Sequence, residues 1–157
     1  PIGNRENHFK GNFCGNGNEI NGICINTTYK VQGLFGLVDN GKIVNLCMGE
    51  NCNITGGSAT AGIVGYLNNK CVVSNCYNKT SINGTFASGI AGYCKDSTIS
   101  KCYNTGNIQG NNMTGGIIGG CDNTLKRMHR KYNTDEYYNY FTNARILQLY
   151  HYILALF

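Results

Sequence analysis

The chain has 157 residues, of which only 13% are charged, and its formal net charge is +5. Because 41% of the residues are hydrophobic and recur in register, the composition excludes a disordered segment and is typical of one domain with a continuous core. So mild a charge does not indicate a nucleic-acid partner, and we expect none.

The chain opens Pro1-Ile2-Gly3-Asn4, with neither an initiator methionine nor an apolar signal segment. We therefore expect it to be part of a longer polypeptide or a processed one. Phe and Gly then alternate in residues 9–17, which predicts an opening strand.

A tetrapeptide Gly-Φ-Φ-Gly, in which Φ is apolar, occurs at residues 33–36, 62–65, 89–92 and 116–119. The steps between the first glycines are 29, 27 and 27 residues, a period typical of stacked structural repeats. Glycine on both sides of the apolar pair predicts a close backbone approach or a bend.

A second run in each repeat contains a cysteine. Cys47, Cys76 and Cys102 lie 14, 14 and 13 residues after the first glycine of their tetrapeptides, and Cys24 has similar surroundings. We therefore expect these four cysteines to stack as one column.

The residues two positions after these cysteines predict a turn. They are Asn26, Gly49, Asn78 and Asn104. Asn and Gly tolerate positive φ, so a sharp turn is expected at this place in every coil. Ile99 and Cys102 are three residues apart, so both can face the core only if a bulge or corner lies between them.

Each repeat also contains a single apolar anchor, which is Ile54, Ile82 or Ile108. Three short strands with intervening turns account for about 27 residues, too few for βαβ units. The fold predicted is all-β: a right-handed parallel β-helix of about 27 residues per coil, with neighbouring coils about 4.8 Å apart. Leu34, Ile63, Ile90 and Ile117 are expected to form a second buried column.

We expect two parts: solenoid repeats over residues 1–121, and a degenerate last coil with a C-terminal cap over 122–157. Tyr132-Asn133-Thr134 echoes Tyr103-Asn104-Thr105, but Lys131 stands where the cysteine is expected. Residues 144–156 have helical propensity, so a helical cap is predicted, with a foreign or frameshifted tail as the alternative. The apolar residues 146–157 are fewer than the roughly 20 that a membrane-spanning helix needs, so no transmembrane segment is expected.

These repeats resemble the GLUG-motif family. The resemblance rests on Gly-Leu-Phe-Gly, Gly-Ile-Val-Gly and Gly-Ile-Ala-Gly, each followed by a Cys run, and it covers residues 1 to about 120. It implies a β-solenoid in a secreted or cell-surface protein of the adhesin-like kind. Similar repeats flank zinc metallopeptidases that cleave immunoglobulin A, but this chain lacks His-Glu-x-x-His.

The nine cysteines have three interpretations. A free buried thiol packs as a small hydrophobe, and a pair such as Cys47 and Cys52 can form a disulfide. The spacing of Cys47 and Cys52, and likewise of Cys71 and Cys76, also suits metal ligands. We favour core packing, because a tetrahedral metal site needs four converging ligands and a repeated column does not supply them. We therefore predict no metal and no cofactor.

A polysaccharide-cleaving enzyme needs clustered carboxylates. Asp39 and Asp96 follow their tetrapeptides at similar distances, so they are expected on one edge, two coils and about 9.6 Å apart. That separation is wide for a working pair, and we interpret both as solvated turn residues.

Two tyrosine pairs carry the functional hypothesis. Tyr77 and Tyr103 share one repeat position, and Tyr66 and Tyr93 share another. Facing outward, such pairs form a strip for a glycan or a surface protein, and facing inward they hold the coils together. The function predicted is a non-catalytic adhesive or spacer scaffold. The alternatives are a substrate-binding region of a surface metallopeptidase and a polysaccharide-active enzyme.

Overall fold

The computed structural model describes residues 1–122, and within this range the chain forms 19 short strands and no helix. The first coil contains β1 (Asn12–Cys14), β2 (Glu19–Ile20), β3 (Cys24–Asn26) and β4 (Val31–Gln32). The second contains β5 (Phe35–Asp39), β6 (Lys42–Val44), β7 (Cys47–Met48), β8 (Asn53–Thr55) and β9 (Ala59–Ala61). The third contains β10 (Val64–Asn68), β11 (Val72–Ser74), β12 (Tyr77–Asn78), β13 (Ser81–Gly84) and β14 (Phe86–Ser88). The fourth contains β15 (Ala91–Lys95), β16 (Thr98–Ser100), β17 (Tyr103–Asn104) and β18 (Ile108–Gly110), and β19 (Ile118–Asp122) follows.

Equivalent strands of successive coils pair in parallel and form five sheets. Sheet A contains β5, β10, β15 and β19, sheet B contains β1, β6, β11 and β16, and sheet C contains β2, β7, β12 and β17. Sheet D contains β3, β8, β13 and β18, and sheet E contains β4, β9 and β14. The predicted β-solenoid is therefore confirmed, with about four turns roughly 28 residues apart. Each full coil has five strands rather than the three expected, because tight corners divide it more often than the apolar pattern indicates.

Two rows of left-handed residues form these corners. Asn40, Asn69, Lys70 and Asp96 have positive φ between sheets A and B, and Asn16, Asn45, Asn75 and Lys101 have positive φ between sheets B and C. The corner expected between Ile99 and Cys102 is confirmed, because it lies at Lys101. The turn expected at Asn26, Gly49, Asn78 and Asn104 is wrong, since none of the four has positive φ and all but Gly49 lie in strands. Asn78 and Asn104 are moreover buried.

Both predicted apolar columns are found in the core. Leu34, Ile63, Ile90 and Ile117 are at most 9% exposed, and Ile54, Ile82 and Ile108 pair in register with Ile25 added from the first coil. At the N-terminal end, Phe9 and Phe13 pack on Phe35 with ring centroids 5.0 and 5.2 Å away.

The tetrapeptide glycines allow close packing, as predicted. A Cβ on Gly89 would lie 2.5 Å from Cγ of Asn104, and one on Gly62 would lie 2.6 Å from Cγ of Asn78. A Cβ on Gly92 would lie 2.6 Å from the backbone nitrogen of Thr60 in sheet E. The first glycine therefore makes room for a buried asparagine, and the second brings sheets A and E together.

The predicted cysteine column is wrong in two of its four members. Cys76 and Cys102 do share an inner column, but the second coil contributes Leu46 to it, because Cys47 pairs with Tyr77. The third coil has two left-handed residues, Asn69 and Lys70, where its neighbours have one, and this extra residue shifts the register. Cys24 lies in sheet D and is exposed.

The predicted degenerate coil and helical cap lie outside the described residues, apart from Asp122, which ends β19. Within residues 1–122 there is no helix that is long and apolar enough to cross a membrane.

Candidate functional site

The outer surface of sheet C carries the candidate site. Each strand of this sheet has two residues, and the second points into the core, so the first faces outward. The outward column is Glu19, Cys47, Tyr77 and Tyr103, in register. We call this column, together with the adjacent Lys79 and Thr105, the tyrosine face.

Tyr77 and Tyr103 are stacked. Their ring centroids are 3.8 Å apart and the planes differ by 24°. The Tyr77 hydroxyl shares a 3.2 Å hydrogen bond with Oγ1 of Thr105, which fixes the ring. The Tyr103 side chain is 47% exposed, one of the largest exposures of an apolar or aromatic residue in residues 1–122.

An ion pair across three coils borders the stack. Lys79 Nζ donates to Glu19 Oε2 at 2.7 Å and lies 5.3 Å from the centroid of the Tyr77 ring. The hydrogen bonds from Lys79, Asn21 and the Cys47 thiol lower the pKa of Glu19 to about 2. Glu19 is therefore a fixed carboxylate and is unsuited to donating a proton near neutral pH.

Cys47 belongs to this face and not to the core. Its thiol donates to Glu19 Oε2 at 3.4 Å. Partial burial and the neighbouring carboxylate raise the Cys47 pKa to about 11. A thiol held protonated in this way is a poor nucleophile and a poor metal ligand.

The second tyrosine pair is stacked on a different sheet. Tyr66 and Tyr93 have ring centroids 5.1 Å apart and an interplanar angle of 17°, and both are half-buried on sheet A. Burial raises the pKa of both hydroxyls. Sheet B lies between sheets A and C in the chain path, so the four predicted residues form two separate stacks.

Asp39 and Asp96 lie at the same corner, on coils two apart, as predicted. The Asp39 carboxylate accepts a 2.8 Å hydrogen bond from Asn69 Nδ2 and lies 3.4 Å from Nδ1 of His8. The Asn69 hydrogen bond is the main reason that the pKa of Asp39 is lowered. This carboxylate is already engaged by its neighbours in the fold.

A shallow depression of about 600 Å³ lies on another side of the solenoid, between sheets D and E. It is lined by Asn26, Thr27, Thr28, Tyr29, Thr55, Gly56 and Gly57. Tyr29 is 76% exposed. Sequence reasoning missed both this depression and the Glu19–Lys79 pair, because neither residue set repeats from coil to coil.

Among residues 1–122 there is no group of three or more His, Cys, Asp or Glu side chains placed to hold a metal ion. Comparisons of the chain with protein-family models, curated proteins and solved structures returned no match.

Proposed function

We propose that this chain is a non-catalytic solenoid scaffold whose tyrosine face binds a glycan. The observation that carries the proposal is the exposed Tyr103 ring stacked on Tyr77. Sugar rings pack their C–H faces against aromatic side chains, and a ring that is already held in place loses little conformational freedom on binding.

Polar side chains lie around the stacked rings of Tyr77 and Tyr103, within one or two coils of them. Thr105 bonds the Tyr77 hydroxyl, and Lys79 and Glu19 hold each other beside the same ring. A few fixed polar groups around an aromatic surface are what orients a small polar ligand. A sugar bound on the tyrosine face would therefore find both hydrogen-bond donors and acceptors for its hydroxyl groups.

The scaffold part of the proposal rests on the repeated architecture. Equivalent positions of successive coils lie above each other, so the surface extends along the axis and suits an extended ligand or a spacer. Asp39 is held by Asn69 and His8, and Asp96 lies two coils away and one position out of register with it. This supports a binding role over hydrolysis of the glycan.

The proposal also includes a secreted or cell-surface location and an adhesin-like role, which rest on the GLUG resemblance of residues 1 to about 120. The coding sequence on both sides of this segment distinguishes the alternatives. An anchoring signal supports the adhesin-like role, and a His-Glu-x-x-His helix would indicate a substrate-binding region of a metallopeptidase.

The binding test is isothermal titration of the full chain with a panel of purified oligosaccharides. We expect at least one glycan to bind, and Tyr103→Ala to weaken that binding at least tenfold, while Tyr103→Phe retains it. Tyr29→Ala is the control, because it removes a still more exposed ring, 76% against 47% for Tyr103, from another face. No binding by any glycan, or loss in Tyr29→Ala with retention in Tyr103→Ala, would contradict the proposed face.

The enzyme alternative has its own test. The same panel is incubated with the chain, and products are separated by chromatography. Cleavage that disappears in an Asp39→Asn, Asp96→Asn double variant would overturn the non-catalytic assignment.

A further inference from the structure

Two pairs of interior cysteines face each other across neighbouring coils. Cys76 and Cys102 directly precede the paired residues Tyr77 and Tyr103, and the backbone N–H of Tyr103 donates to the carbonyl of Cys76 at 3.2 Å. The two cysteines are 1% and 2% exposed and belong to the core. They are therefore adjacent rungs of one inner column.

The thiols of this pair occupy equivalent positions on neighbouring coils. Cys76 Sγ donates to the carbonyls of Ser74 and Ile43 at 3.3 and 3.8 Å. Cys102 Sγ donates to those of Ser100 and Val73 at 3.2 and 3.8 Å. The interaction between the two side chains lowers the pKa of Cys76 and raises that of Cys102. Strands paired in parallel lie about 4.8 Å apart, within the range of roughly 4.4–6.8 Å between the Cα atoms of a disulfide. The backbone already has the separation that a disulfide needs.

A second pair repeats the arrangement in sheet A. Cys94 and Cys121 are directly paired between β15 and β19. Cys94 is fully buried, and Cys121 packs against the same core. In the two preceding coils this inner column contains Leu67 and Val38.

We propose that these cysteines form an interior ladder of two disulfides, Cys76–Cys102 and Cys94–Cys121, which joins the last coils of the solenoid to each other. The oxidant is a low-molecular-weight disulfide such as oxidised glutathione. The thiolate of one cysteine attacks it, forms a mixed disulfide and releases one glutathione thiolate. The thiolate of the other cysteine in the pair then attacks the protein sulfur of that mixed disulfide and releases the second glutathione thiolate. Two protein thiols and one oxidised glutathione thus give one protein disulfide and two reduced glutathione molecules.

These four cysteines differ from the buried Cys71 in the residues that lie above and below them in the neighbouring coils. Cys71 is 1% exposed, but its neighbours in the adjacent coils are Gly41 and Ser97. Its thiol donates to the carbonyls of Asn68 and Val38 at 2.9 and 3.4 Å. Cys71 therefore provides a matched control: a core thiol without a cysteine above or below it.

The test is refolding of the full chain with reduced and oxidised glutathione, followed by alkylation under denaturing conditions, trypsin digestion and mass spectrometry. Cleavage after lysine separates residues 71–79, 80–95 and 102–126. We expect one cross-linked species in which peptide 102–126 is joined to both other peptides. Reduction should separate it into the three peptides. Cys71→Ala is expected to keep it, and Cys76→Ala to leave only 80–95 joined to 102–126.

Thermal unfolding gives a second measurement that does not depend on peptide recovery. Each disulfide closes a chain segment of 26 or 27 residues, so reduction is expected to lower the Tm of the wild-type chain by about 10 °C or more. In a Cys76→Ala, Cys94→Ala double variant the reductant is expected to change Tm little. The proposal is overturned if the refolded, β-structured chain has Cys76 and Cys102 alkylated, or if the joined peptides contain the exposed Cys14 or Cys24 instead.

Discussion

Asn78 donates from Nδ2 to Oδ1 of Asn104 at 2.7 Å, across one step of sheet C inside the core. The first two coils place Ile20 and Met48 in this column, so the interior changes from apolar to amide at the third coil. Each asparagine also bonds the backbone two residues later, Asn78 with Thr80 and Asn104 with Gly106. The amide ladder therefore holds both the coil spacing and the turn after β12 and β17.

Replacing Asn104 with alanine should destabilise the fold by about 1–3 kcal/mol, because the Asn78 amide and the Gly106 N–H each lose an acceptor in a water-poor site. Denaturant unfolding followed by circular dichroism measures the change. Asn111→Ala, at an exposed position, is the control and should change stability by less than about 0.5 kcal/mol. Equal effects of the two substitutions would show that the ladder does not form.

Gly89→Ala should cost about 1–3 kcal/mol, because the new methyl group would lie 2.5 Å from both Cγ and Oδ1 of Asn104. Gly11→Ala is a milder control, since its Cβ would meet only the Phe9 ring at 3.2 Å. The cost of Gly89→Ala should also shrink in the Asn104→Ala background, which a double-mutant cycle measures. Strict additivity of the two substitutions would contradict the packing of glycine on asparagine.

Lys101→Val should destabilise the chain by about 1–2 kcal/mol, because Lys101 has φ of +52° and a β-branched residue resists that conformation. The same substitution at Lys42, in the exposed extended position of β6, should be neutral or stabilising, since Val72 already holds the equivalent place in the next coil. Lys101→Asn should preserve or raise stability, as Asn45 and Asn75 occupy this corner in the preceding coils. Comparison of the unfolding midpoints tests all three, and equal effects at Lys101 and Lys42 would contradict the corner.

The Glu19–Lys79 pair should make stability depend on acid pH. The folded-state pKa of Glu19 is lowered from 4.5 to about 2, so its contribution is present above about pH 4.5 and is lost as the pH falls toward 2. In Lys79→Met the Glu19 pKa should return toward 4.5, and this part of the acid sensitivity should disappear. NMR titration of the Glu19 carboxyl group measures it, with Lys30→Met as the control at another exposed lysine. A Glu19 pKa that stays near 2 without Lys79 would show that the ion pair is not its cause.

The sequence was sufficient for the fold class because the apolar columns repeat. Stacked coils bury equivalent residues in equivalent places, so Ile54, Ile82 and Ile108 mark one column without any structural knowledge. The same logic found both tyrosine pairs, which do stack. Periodic features are the part of a solenoid that sequence reveals.

Register inside a coil was harder to predict. The extra left-handed residue of the third coil, at Lys70, gives Cys76 the same spacing from its tetrapeptide as Cys47, although Cys47 pairs with Tyr77 and so lies one position further along the coil than Cys76. A shift of one residue exchanges the two sides of a strand, and Cys47 therefore faces outward. Asn78 and Asn104 looked like turn residues, since the sequence alone does not show that a neighbouring amide and Gly89 provide a buried site for them. The Glu19–Lys79 contact joins residues 60 positions apart and occurs once, so no repeat signals it.

Equivalent residues of successive coils lie directly on each other along the solenoid axis. The most direct measurement is the nuclear Overhauser contact between aromatic ring protons in a chain with isotope-labelled tyrosine, with Tyr→Phe variants for assignment. The structure predicts contacts between Tyr77 and Tyr103 and between Tyr66 and Tyr93, and none between the two pairs within the described residues. Contacts of Tyr77 with Tyr66 or Tyr93, or no contact between Tyr77 and Tyr103, would contradict the stacked parallel arrangement.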